Sequence, residues 1–357
     1  MKPSSCKKYN TLPFDCQMED IQFSNALKKC CSTDNDFTGL ILSDTDAVGK
    51  DRPWAEKKER NIKLARIYKE VDIRKMYRLL SCCNYLEFKE STNGKLTLHK
   101  MSSCRVRLCP LCAWRRSLKV FYNNLSIVEY LKKKFNYEFI FLTLTIPNVT
   151  SDKLNDTLDW LDASVHRMYE RPEWKAVVKG ACRCVEVTHN VDTTSPSYDT
   201  YHPHIHYMLA VNKSYFKSRN YMSAKAWTEL WRSCLHYPLN KPLSVDVKKC
   251  YGTTEKAVAE CSKYSTKDTE YVVDSNFNLS IDSVATLDKA LANRRLLTYT
   301  GAFREAKRKL KLEDEDKGSL INVGELDETL ENDFRYVTYC WHSGYRQFIE
   351  VKKGKNR

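Results

Sequence analysis

No stretch of this 357-residue sequence approaches the ~20 consecutive apolar residues with which a helix spans a bilayer. The first residues also lack the apolar segment of a secretory signal peptide, because Ser4, Ser5 and Lys7 stand where apolar side chains would be needed. Internal repeats are absent as well. We therefore expect a soluble, cytoplasmic protein that does not act at a membrane.

Acidic residues are too few to balance the basic ones. There are 45 Asp and Glu against 59 Lys and Arg, which leaves a net charge of +14. Since no basic amphipathic helix stands out, this excess favours nucleic acid over an acidic membrane as the partner. The alternative is that the charge only aids solubility. With 42% hydrophobic residues the chain can bury a core, so a wholly disordered protein is excluded.

The 15 cysteines are odd in number and irregularly spaced, which argues against a disulfide framework. We interpret most of them as small apolar side chains. One cluster differs, and it comprises Cys82, Cys83, Cys104, Cys109 and Cys112. Its spacing predicts a four-sulfur zinc site with one ligand from the upstream pair, and His99 is a substitute ligand. The alternative is a buried thiol cluster without metal.

Basic and aromatic residues surround this cluster. They are Arg105, Arg107, Trp114, Arg115 and Arg116. Arginine side chains suit phosphate oxygens and tryptophan suits base stacking, so we expect these residues to contact DNA.

From Tyr137 onwards, strand-like and helix-like patterns alternate. They predict strands at 137–146, 181–190, 204–211 and 243–250, and helices at 151–170, 222–235 and 254–270. The order β-α-β-β-α-β followed by a helix is typical of an α+β, ferredoxin-like (split β-α-β) domain with a central antiparallel sheet.

The composition divides the chain into four regions. They are a disordered N-terminal tail (1–50), a basic Cys-rich segment that binds zinc or DNA (51–120), the ferredoxin-like domain (121–275) and a C-terminal accessory region with a basic helix (276–357).

The sharpest motif is His-Pro-His-Ile-His at 202–206. Side chains of a strand alternate with a period of two, so His204 and His206 project from the same face. Two neighbouring imidazoles suit a cation. Pro203 fits the first position of a strand, so we expect His202 in the turn that precedes it.

A third metal ligand is expected from the preceding strand. A hairpin centred near residue 195 would place Glu186 opposite His204. Its carboxylate suits a hard ion such as Mg²⁺ or Mn²⁺. The alternative is a chance pair of surface histidines beside a solvated glutamate.

A second motif lies in the helix predicted at 254–270. Glu260 and Tyr264 are four residues apart and share a face, with Lys267 beside the tyrosine. A tyrosine hydroxyl can act as a nucleophile when a metal polarises its target and a cation eases its deprotonation. The carboxylate could then activate water. The alternative is an ordinary amphipathic helix.

Together these motifs resemble the rolling-circle plasmid replication initiators (Rep proteins) of the HUH endonuclease superfamily. The resemblance covers roughly residues 50–350 in family order. It is carried by 104–117 (CRVRLCPLCAWRRS), 141–145 (FLTLT), 186–190 (EVTHN), 201–206 (YHPHIH), 263–268 (KYSTKD) and 294–299 (RRLLTY) with Gly301. Cys83 stands where the family commonly has Gly, which favours Cys82 as the zinc ligand.

The resemblance implies a nicking-closing enzyme that binds origin DNA as duplex and as a single-stranded nick site. Tyr264 would become linked to the 5′ phosphate, with a divalent ion on His204, His206 and Glu186. It implies that Glu260 directs water for the terminating hydrolysis, and that host helicase and polymerase are partners.

Two other functions remain open. One is a single-tyrosine HUH transposase, although such enzymes are usually smaller and lack the cysteine cluster. The other is a zinc-dependent DNA-binding regulator without catalysis. Nicking of a single-stranded origin oligonucleotide with Mn²⁺ separates the regulator from the enzymes.

Overall fold

The computed structural model describes residues 37–46, 48–250, 258–259, 262, 268–324 and 333–352. Its main elements are β1 (Phe37–Ile41), α1 (Trp54–Val71), α2 (Ile73–Leu80), β2 (Tyr85–Ser91), β3 (Leu96–Met101), α3 (Pro110–Phe135), β4 (Glu138–Thr145), α4 (Leu154–Glu170), α5 (Pro172–Val177), β5 (Val178–Asn190), β6 (Thr200–Val211), α6 (Ala224–Leu235), β7 (Val245–Lys249), α7 (Phe277–Ala290), β8 (Leu297–Thr300), α8 (Gly301–Lys309), β9 (Phe334–His342) and β10 (Gln347–Val351). Within these ranges no helix is both long and apolar enough to cross a membrane.

The chain forms two compact units. The first draws on residues 1–115, 271–285 and 320–357, and the second on 116–270 and 286–319. Each unit contains one five-stranded antiparallel sheet. The C-terminal segment contributes helix α8 and strand β8 to the second unit, and strands β9 and β10 to the first.

The sheet of the second unit has the strand order β7-β4-β6-β5-β8. Its first four strands, numbered in chain order from β4, follow the order 4-1-3-2 of a split β-α-β fold. The two crossovers carry α4 and α6. The predicted ferredoxin-like fold with a central antiparallel sheet is therefore confirmed, and β6 is its central strand.

Strand β8 adds an edge to this sheet by pairing with β5. The chain then turns into α8 through Gly301, whose φ of +50° is in the left-handed region that favours glycine. A Cβ at this position would overlap the carbonyl oxygen of Lys179. The close approach of two backbones explains why glycine stands here.

Periodicity decides which side chains fill the core of the second unit. Helix α4 buries a stripe at helical spacing, as the sequence predicts: Leu154, Leu158, Leu161, Val165 and Met168. Burial of one such side chain is worth about 1.5–3 kcal/mol. The other face of the sheet packs against α3 and α8 through Val120, Leu131, Cys182, Met208 and Phe303, among others.

The sheet of the first unit has the order β1-β10-β9-β2-β3. Strand β1 pairs with β10, with Phe37 opposite Val351. We expected residues 1–50 to be disordered, and for 37–41 this is wrong, because their pairing partner lies at the far end of the sequence. Residues 1–36 lie outside the described residues.

Candidate functional site

The candidate metal centre lies where one face of the second unit's sheet changes from apolar to polar. Along β6 this face carries Ala210, Met208, His206 and His204 in turn, because alternate residues share a face. Ala210 and Met208 are buried in the core that α3 covers. His206 is buried and His204 is half-buried. The histidines therefore stand at the margin of the core.

The strands on either side of β6 complete the centre. Glu186 of β5 lies directly opposite His204, and Thr143 of β4 lies opposite His206. The register that the hairpin centre near residue 195 predicts for Glu186 is therefore confirmed. Three neighbouring strands thus bring their polar side chains to one point.

The distances in this cluster fit a bound divalent ion. The Nε2 atoms of His204 and His206 each lie 3.0 Å from Oε2 of Glu186. Two ligand atoms at right angles around an ion, each about 2.1 Å from it, are about 3.0 Å apart. All three ligand atoms lie within 4.8 Å of one another. Two imidazoles and one carboxylate could hold a metal ion, and the donor set alone does not select which one.

The hydrogen bonds behind the two imidazoles point to the same conclusion. Nδ1 of His204 donates to the carbonyl oxygen of His202 at 3.0 Å, and Nδ1 of His206 lies 3.2 Å from Oγ1 of Thr143. A neutral His204 with its proton on Nδ1 turns a lone pair at Nε2 towards the carboxylate of Glu186. That contact is favourable only with a proton or a cation between the two atoms, as in a metal site with oriented imidazoles.

The electrostatics of Glu186 keep it ionised. Burial alone would raise the pKa of this carboxyl group. The hydrogen bonds and charges of His204 and His206 outweigh burial, and the pKa lies well below its usual range. A negative charge is therefore held at the margin of the core, as a cation site requires.

His202 is not in the turn where we expected it. Strand β6 begins at Thr200, and His202 pairs with Thr188 of β5. The pairing continues to the last residues of the hairpin, so the chain stays extended across Pro203. The side chain of His202 is not among the three ligand groups that lie within reach of one ion.

The predicted catalytic residues Glu260, Tyr264 and Lys267 lie outside the described residues. Six positions of the predicted helix are described: Val258, Ala259 and Ser262 are helical, and Asp268–Glu270 form a 3₁₀ turn. Val258 is fully buried in the core that also contains Met208. The described part of this helix therefore packs on the face of the sheet that carries the histidines.

Tyr271 is the next tyrosine after Tyr264 and could be considered as a second nucleophile, but its side chain is part of the protein interior. Its side chain is 1% exposed, and its hydroxyl donates to the carbonyl oxygen of Leu108 at 2.6 Å. A hydroxyl bound in this way inside the first unit is shielded from a DNA phosphate.

The sequence predicts no role for His189, which ties the last residue of the predicted helix to β5. Its Nδ1 lies 3.0 Å from the carbonyl oxygen of Glu270, and its Nε2 lies 3.0 Å from Oδ1 of Asp199. The ring stacks on Tyr201 at a centroid distance of 4.4 Å. The signal that could have identified it is a histidine three residues after Glu186 in the same predicted strand.

Four cysteines of the first unit converge. They are Cys82, Cys104, Cys109 and Cys112, and their Sγ atoms all lie within 4.8 Å of one another. The Sγ of Cys82 is 3.6 Å from that of Cys112 and 3.7 Å from that of Cys109. Thiolates around a tetrahedral zinc ion, at about 2.3 Å from it, are about 3.8 Å apart. The thiols therefore fit a structural zinc ion.

The surroundings of this cluster also suit a metal. Burial raises the pKa of Cys104 and of Cys109. Hydrogen bonds from neighbouring thiols hold the pKa of Cys112 well below its usual range. The amide of Asn61 contacts the Sγ of Cys109 at 3.2 Å. The pKa values of the packed thiols thus depend on one another, and a bound cation would balance the negative charge of their thiolates.

Cys83 and His99 lie outside the four-sulfur set. Cys83 has a φ of +52°, a left-handed conformation that favours glycine and fits its place in the family pattern. His99 was expected as a substitute ligand, and this is wrong. Its ring packs on Tyr336, and its Nε2 lies 3.7 Å from Glu87.

The basic residues near the cysteines divide into two groups. Arg115 is buried and donates to the carbonyl oxygens of Leu320 and Ile321. Arg116 is buried beside Asp316. These contacts engage both guanidinium groups within the protein, and contact of Arg115 and Arg116 with DNA stays a prediction.

The remaining three stay predicted DNA contacts. Arg105 is exposed, while Arg107 and Trp114 are half-buried. Trp114 packs edge to face against Trp54 with ring centroids 4.7 Å apart.

The chain is similar in sequence to known replication proteins. A family model described as "Replication protein" matches residues 95–349. A "Protein rep" of Bacillus amyloliquefaciens is 34% identical over 345 residues, which cover 89% of this chain and 99% of that protein. A "Protein rep" of Streptococcus pneumoniae is 33% identical over 88% of this chain and 97% of its own length. No solved structure matches significantly.

Proposed function

Because the chain belongs to the Rep family of replication proteins, we propose that it initiates rolling-circle replication of a plasmid by nicking one strand of the origin. The observation that carries the proposal is the cluster of Glu186, His204 and His206, whose ligand atoms lie within 4.8 Å of one another. A replication protein that cuts DNA needs a group that stabilises charge on a phosphate, and this cluster suits the ion that would do so.

In this proposal Glu186, His204 and His206 hold Mg²⁺ or Mn²⁺. Three protein ligands leave positions of an octahedral ion open to phosphate oxygens and water. Bound there, the ion would polarise the scissile phosphate and stabilise its developing negative charge. The second contacts of the two imidazoles, to Thr143 and to the carbonyl oxygen of His202, keep both Nε2 atoms turned towards Glu186, where the ion would bind.

Tyr264 is the proposed nucleophile. Its phenolic oxygen bonds to phosphorus as the bond from phosphorus to the 3′ oxygen breaks, and that oxygen takes a proton from water and leaves as the 3′-OH primer. The phenol proton passes to solvent, and Lys267 would ease its loss. After one round, attack of a 3′-OH on the phosphotyrosine would free the Tyr264 hydroxyl and close the circle, and Glu260 would activate the water for the terminating hydrolysis. Support comes from the i, i+4 spacing and from the packing of Val258 on the histidine face.

We further propose that the four-cysteine cluster holds a structural zinc ion and that the protein recognises duplex origin DNA. Host helicase and polymerase would then extend the 3′-OH primer. Such a protein would act in the cytoplasm, where the plasmid is copied.

A nicking assay tests the proposal. Wild-type protein and two variants are incubated with a single-stranded origin oligonucleotide and Mn²⁺, and the covalent adduct is separated on a denaturing gel. We expect His206→Ala to form no adduct. The matched control is His202→Ala, on the same face of β6 but outside the ligand set, and it should form adduct as wild type does.

The outcomes separate the alternatives. Both histidine variants should bind duplex origin DNA nearly as wild type does, because that affinity rests mainly on phosphate contacts. Equal nicking by His206→Ala and wild type would remove the cluster from the mechanism. A wild-type protein that shifts the oligonucleotide but never cuts it would instead be a regulator.

A further inference from the structure

The sheet of the first unit exposes one face that is rich in aromatic side chains. This aromatic face comprises Tyr85, Lys89, His99, Phe334 and Tyr336. We propose that it binds a single-stranded segment of the origin DNA, with bases stacked on Phe334 and Tyr336 and a phosphate beside Lys89. The inference rests on the proposed function, because it assigns to this face the single strand that a nicking initiator would handle.

Strand pairing places these residues together. Tyr336 of β9 lies opposite Lys89 of β2, and Phe334 lies opposite Ser91. Residues directly opposite each other share a face of the sheet. Tyr85, Phe334 and Tyr336 are 44%, 38% and 37% exposed. Large aromatic side chains are therefore presented to solvent on one side of the sheet.

The rings form a connected row. The centroids of Phe334 and Tyr336 are 5.3 Å apart, and those of Tyr336 and His99 are 4.9 Å apart. The Nζ of Lys89 lies 4.6 Å from the centroid of Phe334. The acidic Glu87 on the same face is matched by Lys100 at 3.2 Å. The row thus combines stacking surfaces with a cation, the combination that single-stranded nucleic acid requires.

The dimensions favour a single strand over a duplex. Alternate residues of a strand are about 6.6 Å apart, roughly twice the ~3.4 Å between neighbouring nucleotides along a strand of B-DNA. Five strands at about 4.8 Å spacing make a face about 19 Å wide, too broad for a major groove of about 12 Å. Sheets with exposed aromatic residues stack two or three splayed bases in this manner.

The chemistry of the face also argues against a second copy of the chain as its occupant. The described residues of β2 and β9 on this face are Tyr85, Glu87, Lys89, Ser91, Phe334, Tyr336, Thr338, Cys340 and His342. Leucine, isoleucine and valine are absent from this set, whereas the core of a homodimer interface is largely apolar. On the neighbouring strands this face adds Ile349, which is buried, and Ile41, which is exposed at the edge of the sheet.

Fluorescence anisotropy with a labelled oligothymidylate tests the inference, without added Mg²⁺ or Mn²⁺ so that nicking cannot contribute while the proposed zinc ion stays bound. We expect Tyr336→Ala and Phe334→Ala each to weaken binding at least about fivefold. Tyr336→Phe keeps the ring and should bind within about twofold of wild type. Lys89→Gln should lower the salt dependence of log Kd by about 0.7. Tyr77→Ala, an exposed tyrosine on α2, is the control.

The inference and the proposed function fail separately. Unchanged oligothymidylate binding by Tyr336→Ala and Phe334→Ala overturns the inference, whatever the nicking assay gives. The inference is also overturned if the two variants bind oligothymidylate as wild type does but no longer self-associate in light scattering. That result would make the face a contact between copies of the chain. If wild type forms no adduct yet the aromatic variants bind weakly, the nicking proposal fails while the binding face stands.

Discussion

Replacing Tyr271 with phenylalanine tests whether the chain uses one catalytic tyrosine or two. The hydroxyl of Tyr271 donates to the carbonyl oxygen of Leu108 at 2.6 Å, and the side chain is buried. The change removes this donor from a buried carbonyl group and leaves the ring in place. We expect a loss of about 1–3 kcal/mol in the free energy of unfolding.

The substitution should therefore lower the stability of the protein and leave its formation of the covalent adduct unchanged. For a unit of this size each kcal/mol lowers the unfolding midpoint by roughly 2–4 °C. Tyr271→Phe should therefore unfold several degrees below wild type, while it still forms the covalent adduct with origin oligonucleotide. Tyr264→Phe should show the opposite pattern, with no adduct.

Tyr77→Phe is the matched control, because Tyr77 is exposed and its hydroxyl should contribute to neither property. The reasoning is refuted if Tyr271→Phe loses the adduct while its unfolding midpoint equals that of wild type. Such a result would make the Tyr271 hydroxyl a second nucleophile.

Three further outcomes are expected, for the cysteine cluster, for Glu186 and for the Glu260 motif. Cys82→Ser should lose the zinc that wild type carries at about one atom per chain, whereas Cys83→Gly should retain it. Elemental analysis of the purified proteins measures the zinc content. If active wild-type protein contains no zinc, the four cysteines serve only as buried, packed side chains. Without added divalent ions, the stability that Glu186 contributes over Glu186→Gln should be constant above its usual pKa of 4.5 and shrink as the pH falls below it, because the folded-state pKa is depressed. Urea unfolding at several pH values would contradict this if the difference grew in acid. Glu260→Ala should still nick but accumulate multimeric single strands on gels of replication products, and normal unit-length products would show that another group ends the cycle.

The metal cluster could be predicted from the sequence because its geometry is local. Glu186 and His204 belong to one hairpin, and the period of two fixes which side chains share a face. The first residue of β6 could not be predicted in the same way. Pro203 reads as the start of a strand, but the pairing of β5 with β6 continues to Asn190 and Thr200 and keeps His202 extended.

The hydrogen-bond partners of the arginines near the cysteines lie far away in the sequence. Arg115 and Arg116 follow the zinc motif, and their charge alone predicts DNA contacts. The carbonyl groups of Leu320 and Ile321, more than 200 residues later, receive the hydrogen bonds of Arg115. A pattern of neighbouring residues contains no information about such partners.

The aromatic face depends on a register that is likewise set at long range. Strands β2 and β9 pair across more than 240 residues, with Ser91 opposite Phe334. A shift of one residue would turn Phe334 and Tyr336 into the core and expose the buried Val337, Tyr339 and Trp341. Loss of that apolar burial would cost about 1.5–3 kcal/mol for each large side chain. The residues that fill the core of the first unit therefore also determine which rings the sheet presents to solvent.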